Sequence, residues 1–502
     1  MAPAPTATTL VATLATADRV AGDLAALPAE IAWVEVRADL VGDLDPGWLR
    51  DRFGGGLLYT LRSAREGGRS TGDAVERGRR LAAAAAAGFD MVDLEGETDL
   101  TSQILATVPA EKRIVSWHGE PSDLPALRDR FAALAATPAR LYKMVPAARA
   151  HGADLLALAL LRSLQRSDLI AFAGGELGAW TRILAPRLGA AVVFCAAGEQ
   201  AGAPGQPAAA RLVRDFAPLG AGPLGPLEAI SGVAGKPIAH SLSPRLHNAA
   251  YRALGLARLY LPFHVESFGD FWLEVVESSG LGALGFPLRG LSVTAPFKEA
   301  ALAVAGVSSP LAERVGAANT LVLSGSVWEA ETTDPDGVVG ALRAAGLEPG
   351  GRRAAVVGAG GAGRAAAEGL RQAGAAVTLV HRDLERGRQA ASSLDVAAAA
   401  LDEFHPGAFE LVVHATPLGH RAEDPLPFDV SALRPGTAVV DLVYREGPTA
   451  LLAAVRDAGC VAVDGREVLV QQAAGQFRLM TGQDLPLAVA RRAVGLEEAG
   501  NG

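Results

Sequence analysis

Only four of the 46 basic residues in this 502-residue chain are lysines: Lys112, Lys143, Lys236 and Lys298. A lysine can do what an arginine cannot: lose its proton, add to a ketone as a Schiff-base amine, or shuttle a proton. Lys143 stands in LYKMVPAA (141–148), where Leu141, Met144 and Val145 would desolvate the amine, lower its pKa and raise its nucleophilicity. His118, ending RIVSWH (113–118), could move a proton beside an imine. Glu66, four residues after Arg62 in TLRSAREGG (60–68), could orient that histidine, and Arg37, Arg62 and Arg182 could grip a carboxylate by bidentate pairing. The plainer alternative is a snorkelling lysine at a strand edge and a satisfied core histidine; the scarcity of lysine favours chemistry.

A second set of residues lies in the C-terminal half. GAGGAG (358–363) follows the strand-like AAVV and precedes an alanine-rich helix, the arrangement that lets a backbone approach a pyrophosphate at a helix N-terminus. HRD (381–383) places Arg382 near the end of the next strand, suited to a 2′-phosphate, so NADP is expected over NAD; Asp383 beside it leaves NAD open. Upstream, VAGKPIAHSLSPRLHNAAY (233–251), SVTAPFKEA (292–300), VGAANTL (315–321) and TTDPDG (332–337) combine two serine hydroxyls, a lysine after a Pro-Phe turn and an Asn-Thr pair. Each fragment alone is ordinary turn chemistry; together they suggest a pocket for a polyol carboxylate.

These residues must be positioned by repeating elements. Eight short β-prone runs, LVATLA (10–15), AWVEVRA (32–38), LLYTLR (57–62), MVDLE (91–95), RIVSWH (113–118), LYKMV (141–145), LIAFAG (169–174) and AVVFCA (191–196), alternate with helix-length spacers. The rhythm predicts a (β/α)₈ barrel, whose reacting groups sit at strand C-termini; here those ends carry Glu35, Arg37, Arg62, Glu95, His118 and Lys143. A Gly/Pro-rich stretch places a domain boundary near 222–227. Beyond it, VTLVHR (377–382), ELVVHATP (410–417), TAVVDLVY (437–444) and CVAVDG (460–465) predict further parallel strands, and a helical stretch near 467–500 should pack back on the preceding domain.

Composition narrows the function. A net charge of −9 argues against a nucleic-acid surface. Cys195 and Cys460 lack metal or disulfide spacing and read as free thiols. The apolar run ADLLALALL (153–161) stops at Arg162, short of a membrane span, and no basic leader is evident. A soluble cytoplasmic protein without metal, nucleic-acid or membrane partner is expected, and a homodimer is compatible with it.

VEVRAD (34–39), TLRSAREGG, DLE (93–95), SWHGE (116–120), LYKMVP (141–146) and APGQ (203–206) resemble, in order, the type I 3-dehydroquinate dehydratases over about residues 8–215. The resemblance implies that Lys143 forms the Schiff base and His118 acts as general acid/base with Glu66 as its partner. It also implies that Glu35, Arg37, Arg62 and Arg182 bind substrate and that Gln206 sits on a closing loop. Gly202 stands where that family usually has serine. Residues 229–495, with HATPLGH (414–420), DLVYREGPTALL (441–452) and LVQQAAGQF (469–477), resemble the shikimate dehydrogenases. That implies a catalytic pair, Lys298 and Asp334, with Ser241, Ser243, Thr294, Asn319, Tyr444 and Gln472 around the substrate. The cofactor site would comprise Gly358, Ala359, Gly360, Gly361, Ala362, Arg382, Thr416, Pro417 and Gly465. Ser292 and Thr332 replace asparagines of that family, and HATPLGH, read as a helix, ends in His420 where methionine is common.

The expectation is a bifunctional chain: a dehydratase barrel over 1–224, a substrate-binding domain over 228–331, a Rossmann NADP domain over 332–466 and C-terminal helices over 467–502. It would convert 3-dehydroquinate to 3-dehydroshikimate and then to shikimate. The rival reading makes the second half an NAD-dependent quinate/shikimate dehydrogenase working catabolically.

Overall fold

The structure, a computed structural model, describes residues 8–217, 225–421, 423–445 and 447–496. Two compact units are present: one takes the residues up to Glu228 together with Phe263–Pro287, the other Ala229–Pro262 and Leu288 onward. The first is built on β1 (Thr9–Leu14), β2 (Trp33–Arg37), β3 (Gly56–Thr60), β4 (Met91–Glu95), β5 (Arg113–Gly119), β6 (Leu141–Pro146), β7 (Leu169–Ala171) and β8 (Val192–Ala196). These pair in the order β7-β6-β5-β4-β3-β2-β1-β8. Across the remaining seam, Ala191 N donates to Leu169 O at 3.0 Å, so the sheet forms a nearly closed (β/α)₈ barrel, as the eight runs predict.

Alternation along each strand sends every second side chain inward. Val11, Leu58, Met91 and Ile114 form a buried apolar floor, with Trp33 and Leu141 packed against it. Two residues further along the same six strands stand Thr13, Thr60, Asp93, Ser116, Glu35 and Lys143; Arg62, Glu95, His118 and Arg37 come two later on four of them. Fully burying each large floor residue contributes roughly 1.5–3 kcal/mol, which supports the dense polar tier above.

The segment Phe263–Pro287 belongs to this first unit. Phe263 meets the Trp180 ring edge-on at 5.3 Å and Phe271 meets His151 at 5.5 Å. A single cut at the expected boundary therefore does not separate the compact units; residues 222–224 of that boundary lie outside the described residues.

The second unit holds two sheets. A mixed one contains β9 (Ala229–Gly235), β10 (Arg258–His264, whose last two residues are grouped with the first unit), β11 (Leu288–Val293), β12 (Val307–Ser308), β13 (Thr320–Ser324) and β14 (Val327–Glu331) in the order β10-β9-β11-β13-β14-β12. The other contains β15 (Arg353–Val357), β16 (Ala376–His381), β17 (Ala397–Ala400), β18 (Leu411–His414), β19 (Ala438–Asp441) and β20 (Val461–Val463), all parallel in the order β17-β16-β15-β18-β19-β20. That is the doubly wound dinucleotide-binding order, with its switch point between β15 and β18. The helices Gly465–Thr481 and Leu487–Ala493 bring Leu469, Ala473, Phe477 and Ala490 into one core with Val233, Leu246, Tyr251 and Tyr260 of the mixed-sheet region. Residues 497–502 of the expected C-terminal stretch lie outside the described residues.

Two local expectations are corrected. HATPLGH is not a helix: β18 ends at His414 and a loop follows. Pro417 disfavours helical geometry at Thr416, and Gly419 adopts φ 98°. The strand β17, four alanines, has no counterpart among the predicted strands; pairing with β16 overrides the helix propensity of alanine.

Candidate active sites

In the barrel, the parallel register places Glu95 opposite Ser116 and Ser116 opposite Lys143. Lys143 is buried, its Nζ 3.6 Å from Asp93 Oδ2, 3.9 Å from Glu35 Oε1 and 4.0 Å from the Phe194 ring centroid. Burial first, then Arg62 and Arg37, lower its pKa from the usual lysine range; Glu35 and Asp93 oppose but do not reverse this. His118 Nδ1 lies 2.8 Å from Glu66 Oε2. Burial, then the cations Arg62, Lys143, Arg37 and Arg182, hold the imidazolium well below its ordinary pKa. Burial pushes Glu66 up to about 8, with Arg62 opposing and Glu95 and Asp93 reinforcing. The two groups behave as one proton-holding pair whose Nε2 is the ring nitrogen left for chemistry.

The three arginines expected to grip a carboxylate are not equivalent. Arg37 Nε and Nη2 each sit 2.8 Å from an Asp39 oxygen, and Nη1 donates to Gly202 O at 2.8 Å. Arg62 contacts Asp93 at 2.8 Å, Glu66 at 3.0 Å and Glu95 at 3.2 Å. Arg182 is buried, its guanidinium 4.0 Å from the Phe172 centroid and its Nε without a hydrogen-bond partner. Among the described residues it pairs with no carboxylate. Glu35 accepts from Thr13 Oγ1 (2.6 Å) and Thr60 Oγ1 (2.8 Å). Gln206 Nε2 donates to Thr13 Oγ1 at 2.8 Å and its Oε1 accepts from Gly202 N at 3.0 Å, so the loop is drawn onto β1. A Cβ at Gly202 would lie 2.8 Å from Thr13 Cγ2, which explains why this loop position carries no side chain here. Thr13, Thr60, Asp93 and Ser116 are the site neighbours that chemistry-first reading missed; their signal is the two-residue spacing from floor residues.

In the second unit, Lys298 opens the helix Lys298–Val304 and Asp334 opens Asp334–Ala344, and Lys298 Nζ donates directly to Asp334 Oδ2. Asn319 Nδ2 donates to Asp334 Oδ1 at 2.7 Å and to Thr333 Oγ1 at 3.0 Å. Its Oδ1 accepts from Thr320 Oγ1 (2.8 Å) and Thr333 N (2.9 Å), which fixes the amide with its Nδ2 on Asp334. Gln476 supports this from the helix Gly465–Thr481: its Nε2 donates to Asn319 O at 3.2 Å, and its Oε1 accepts from Ser292 Oγ at 2.9 Å. Thr332 is buried one residue before Thr333. Ser241 and Ser243 are buried together, with Ser243 N donating to Ser241 Oγ at 3.3 Å; Thr294 follows β11, and Gln472 faces Gly337 of the Asp334 helix. Tyr444 packs partly buried against the core that contains Phe477.

The glycine turn fits a dinucleotide. Gly358 has φ 117°, and a Cβ there would lie 2.7 Å from Ala415 O; one at Gly363 would lie 2.0 Å from Gly358 O. Gly360 caps the helix Gly361–Gln372, with Ala359 before it and Ala362 in its first turn. A Cβ at Gly361 would lie 3.4 Å from Lys298 Cβ, so the turn adjoins the Lys298–Asp334 pair. Arg382 is exposed; Asp383 caps the helix Leu384–Leu394 by accepting from Arg386 N at 3.2 Å. Thr416 Oγ1 is 2.6 Å from His414 Nε2, whose Nδ1 is 2.9 Å from Asp441 Oδ1, a buried bridge that fixes the loop running into Pro417. Gly465 begins its helix where a Cβ would lie 2.5 Å from Asp441 O. His420 stacks obliquely with His240 at 5.6 Å.

Residues 9–218 match the type I 3-dehydroquinase family, 233–321 the shikimate dehydrogenase substrate binding domain, and 465–494 the shikimate 5′-dehydrogenase C-terminal domain. The bifunctional 3-dehydroquinate dehydratase/shikimate dehydrogenase of Arabidopsis thaliana is 30% identical over 489 residues, covering 90% of this chain and 78% of that protein. The shikimate dehydrogenase (NADP(+)) of Moorella thermoacetica is 40% identical over 274 residues, 51% of this chain and 90% of that protein. The crystal structure of Thermus thermophilus shikimate 5-dehydrogenase in complex with NADP(H) and shikimate covers 53% of this chain and 98% of its own, with 34% identity and TM-score 0.48. Fold and family matches together define a barrel lyase joined to a Rossmann-type oxidoreductase. The chain belongs to the family of bifunctional 3-dehydroquinate dehydratase/shikimate dehydrogenases.

Proposed function

We propose that the barrel dehydrates 3-dehydroquinate to 3-dehydroshikimate and that the second unit reduces this product to shikimate with NADPH. The observation that carries the reading is the buried amine of Lys143 in the same lumen as the His118–Glu66 pair. Lys143 Nζ adds to the ketone carbon, and the carbinolamine loses water to leave an iminium. The iminium acidifies the neighbouring C–H, and His118 takes that proton through Nε2. The electron pair enters the C–C bond while the C=N pair moves to nitrogen. The resulting enamine expels the β-hydroxyl, which receives a proton from the same imidazole and leaves as water. A water molecule then hydrolyses the product iminium and frees the lysine. Arg182, which makes no ion pair with a carboxylate among the described residues, binds the substrate carboxylate; Glu35, Arg37 and Arg62 line the hydroxyl side and Gln206 holds the loop over it.

In the second unit, Gly358, Ala359, Gly360, Gly361 and Ala362 cradle the pyrophosphate at a helix N-terminus, with Thr416, Pro417 and Gly465 alongside. Bound there, NADPH supplies the hydride that reduces the ketone. Lys298 gives the proton to the substrate oxygen, and Asp334 orients that amine with Asn319 and Gln476 behind it. Ser241, Ser243, Thr294, Tyr444 and Gln472 surround the polyol acid. Arg382, with the exposed Arg386 one turn further on, takes the 2′-phosphate, while the Asp383 carboxylate is engaged as a helix cap by Arg386 N, which favours NADP over the NAD-dependent alternative. The catalytic modules remain those of the sequence, 1–224 and 228–502, although the compact units do not follow that cut. Borohydride reduction with 3-dehydroquinate followed by peptide mapping tests the reading: one adduct, on Lys143, is expected, and label elsewhere overturns it.

A further inference from the structure

Once the Schiff base has formed, the nitrogen of Lys143 has a different requirement from the free amine. To attack, the amine must be unprotonated; to withdraw electrons, the imine must stay protonated, because a neutral imine is a poor sink for the C–H electron pair. Burial and the cations around the lumen favour the first state and oppose the second. The second therefore needs a fixed anion close to the nitrogen.

The groups facing Lys143 are Glu35 and Arg37 from β2, Arg62 after β3, Asp93 from β4, His118 from β5, and Arg182 beyond β7, with Cys195 of β8 near Arg182. Glu66 and Glu95 stand behind Arg62. Only two of these are anions within 4.0 Å of Nζ: Asp93 at 3.6 Å and Glu35 at 3.9 Å. Glu35 already has a threonine hydroxyl on each oxygen and stands the farther of the two from Nζ. Asp93 is buried and differently held: Ser116 Oγ donates to Oδ1, and Arg62 Nη2 donates at 2.8 Å to Oδ2, the oxygen that faces Lys143.

We propose that Asp93 is the counter-ion of the Lys143 Schiff base, and that Arg62, sharing its Oδ2, tempers it so that the resting amine can still lose its proton. This rests on the dehydratase reading above. Asp93 is thus a positioning and electrostatic residue that neither forms a bond to substrate nor moves a proton. Despite its burial, Arg62 and then Lys143 hold its carboxyl below the usual range, so the anion is present throughout the working pH range.

The test uses the full chain with 3-dehydroquinate and cyanoborohydride, whose hydride adds to the carbon of a protonated imine and leaves a secondary amine on the lysine. The fraction of Lys143 peptide modified is followed by mass spectrometry from mildly acidic to mildly alkaline pH. In Asp93→Asn the midpoint above which trapping fails should fall by roughly 1–2 pH units, the effect of removing an opposite charge within 4–6 Å. In Ser116→Ala, where Asp93 loses a hydrogen bond and keeps more of its charge, the midpoint should rise. Shikimate oxidation by the same preparations reports that the chain is folded; if Asp93→Asn does not fold, the Ser116→Ala midpoint decides. Midpoints equal to wild type overturn the proposal, while absence of any Lys143 adduct in the wild type overturns the Schiff-base reading instead.

Discussion

Two scarce lysines, one in each unit, sit in opposite electrostatic settings. Lys143 is fully enclosed, has carboxylates at 3.6 and 3.9 Å, beyond hydrogen-bond contact, and is crowded by arginines that depress its pKa. Lys298 is more open, donates directly to Asp334, and has a helix start and an asparagine to fix that partner. The difference follows the work. Under the proposed roles, a nucleophile needs its lone pair, so its anions stand at a distance, whereas a proton donor needs to be aimed, so its anion touches it. The same residue type is enclosed among cations in one place and joined directly to a carboxylate in the other.

Arginine at both positions would break the comparison most sharply, since it keeps charge and removes proton loss. Lys143→Arg should lower dehydration by at least about 10⁴-fold and leave shikimate oxidation intact, as read by assaying the two reactions on one preparation. Lys298→Arg should retain a salt bridge to Asp334 yet lower shikimate oxidation by about 10²–10⁴-fold with dehydration unchanged. Retained oxidation there would show that charge alone suffices. Glu66→Gln sharpens the contrast within the barrel. The pair takes up its proton at about pH 8 because Glu66 is raised that far; with glutamine only the depressed imidazole titrates. The acidic limb of kcat/KM for dehydration should therefore move to lower pH, with a fall of about 10–100-fold in the plateau. An unchanged limb would separate Glu66 from the proton transfer. The smallest effect is expected at Gly202→Ser, where the added atoms must displace Thr13 Cγ2: a roughly three- to ten-fold rise in KM for 3-dehydroquinate with kcat nearly unchanged.

Scarcity of lysine is a weaker guide than the sites themselves. Lys112 is equally scarce, and its Nζ donates to Ala85 O and Phe89 O near the end of the helix Ala74–Ala87, a structural contact. What distinguishes Lys143 is its place in a strand with a period of two, on the inward face beside His118 and Glu35. Periodicity made the eight barrel strands legible, and the strand–glycine–helix succession at 353–372 did the same for the dinucleotide turn. Propensity failed where pairing decided: the four alanines of β17 have no local reason to be extended, and HATPLGH is a loop because its proline and glycine outweigh its helical composition.

Residue identity and spacing along the chain determined the barrel and the Rossmann domain and singled out the two lysines and the histidine, aspartate and glutamate proposed to serve them, because strand alternation and glycine-turn chemistry are local. Tertiary structure alone decided that Arg37 and Arg62 form ion pairs with carboxylates while Arg182 forms none among the described residues, that Asn319 Nδ2 is turned onto Asp334, and that Phe263–Pro287 groups with the barrel. Charge–charge attraction and the cost of burying a charge depend on separations of a few ångströms between residues tens to hundreds of positions apart, and no one-dimensional pattern encodes those distances.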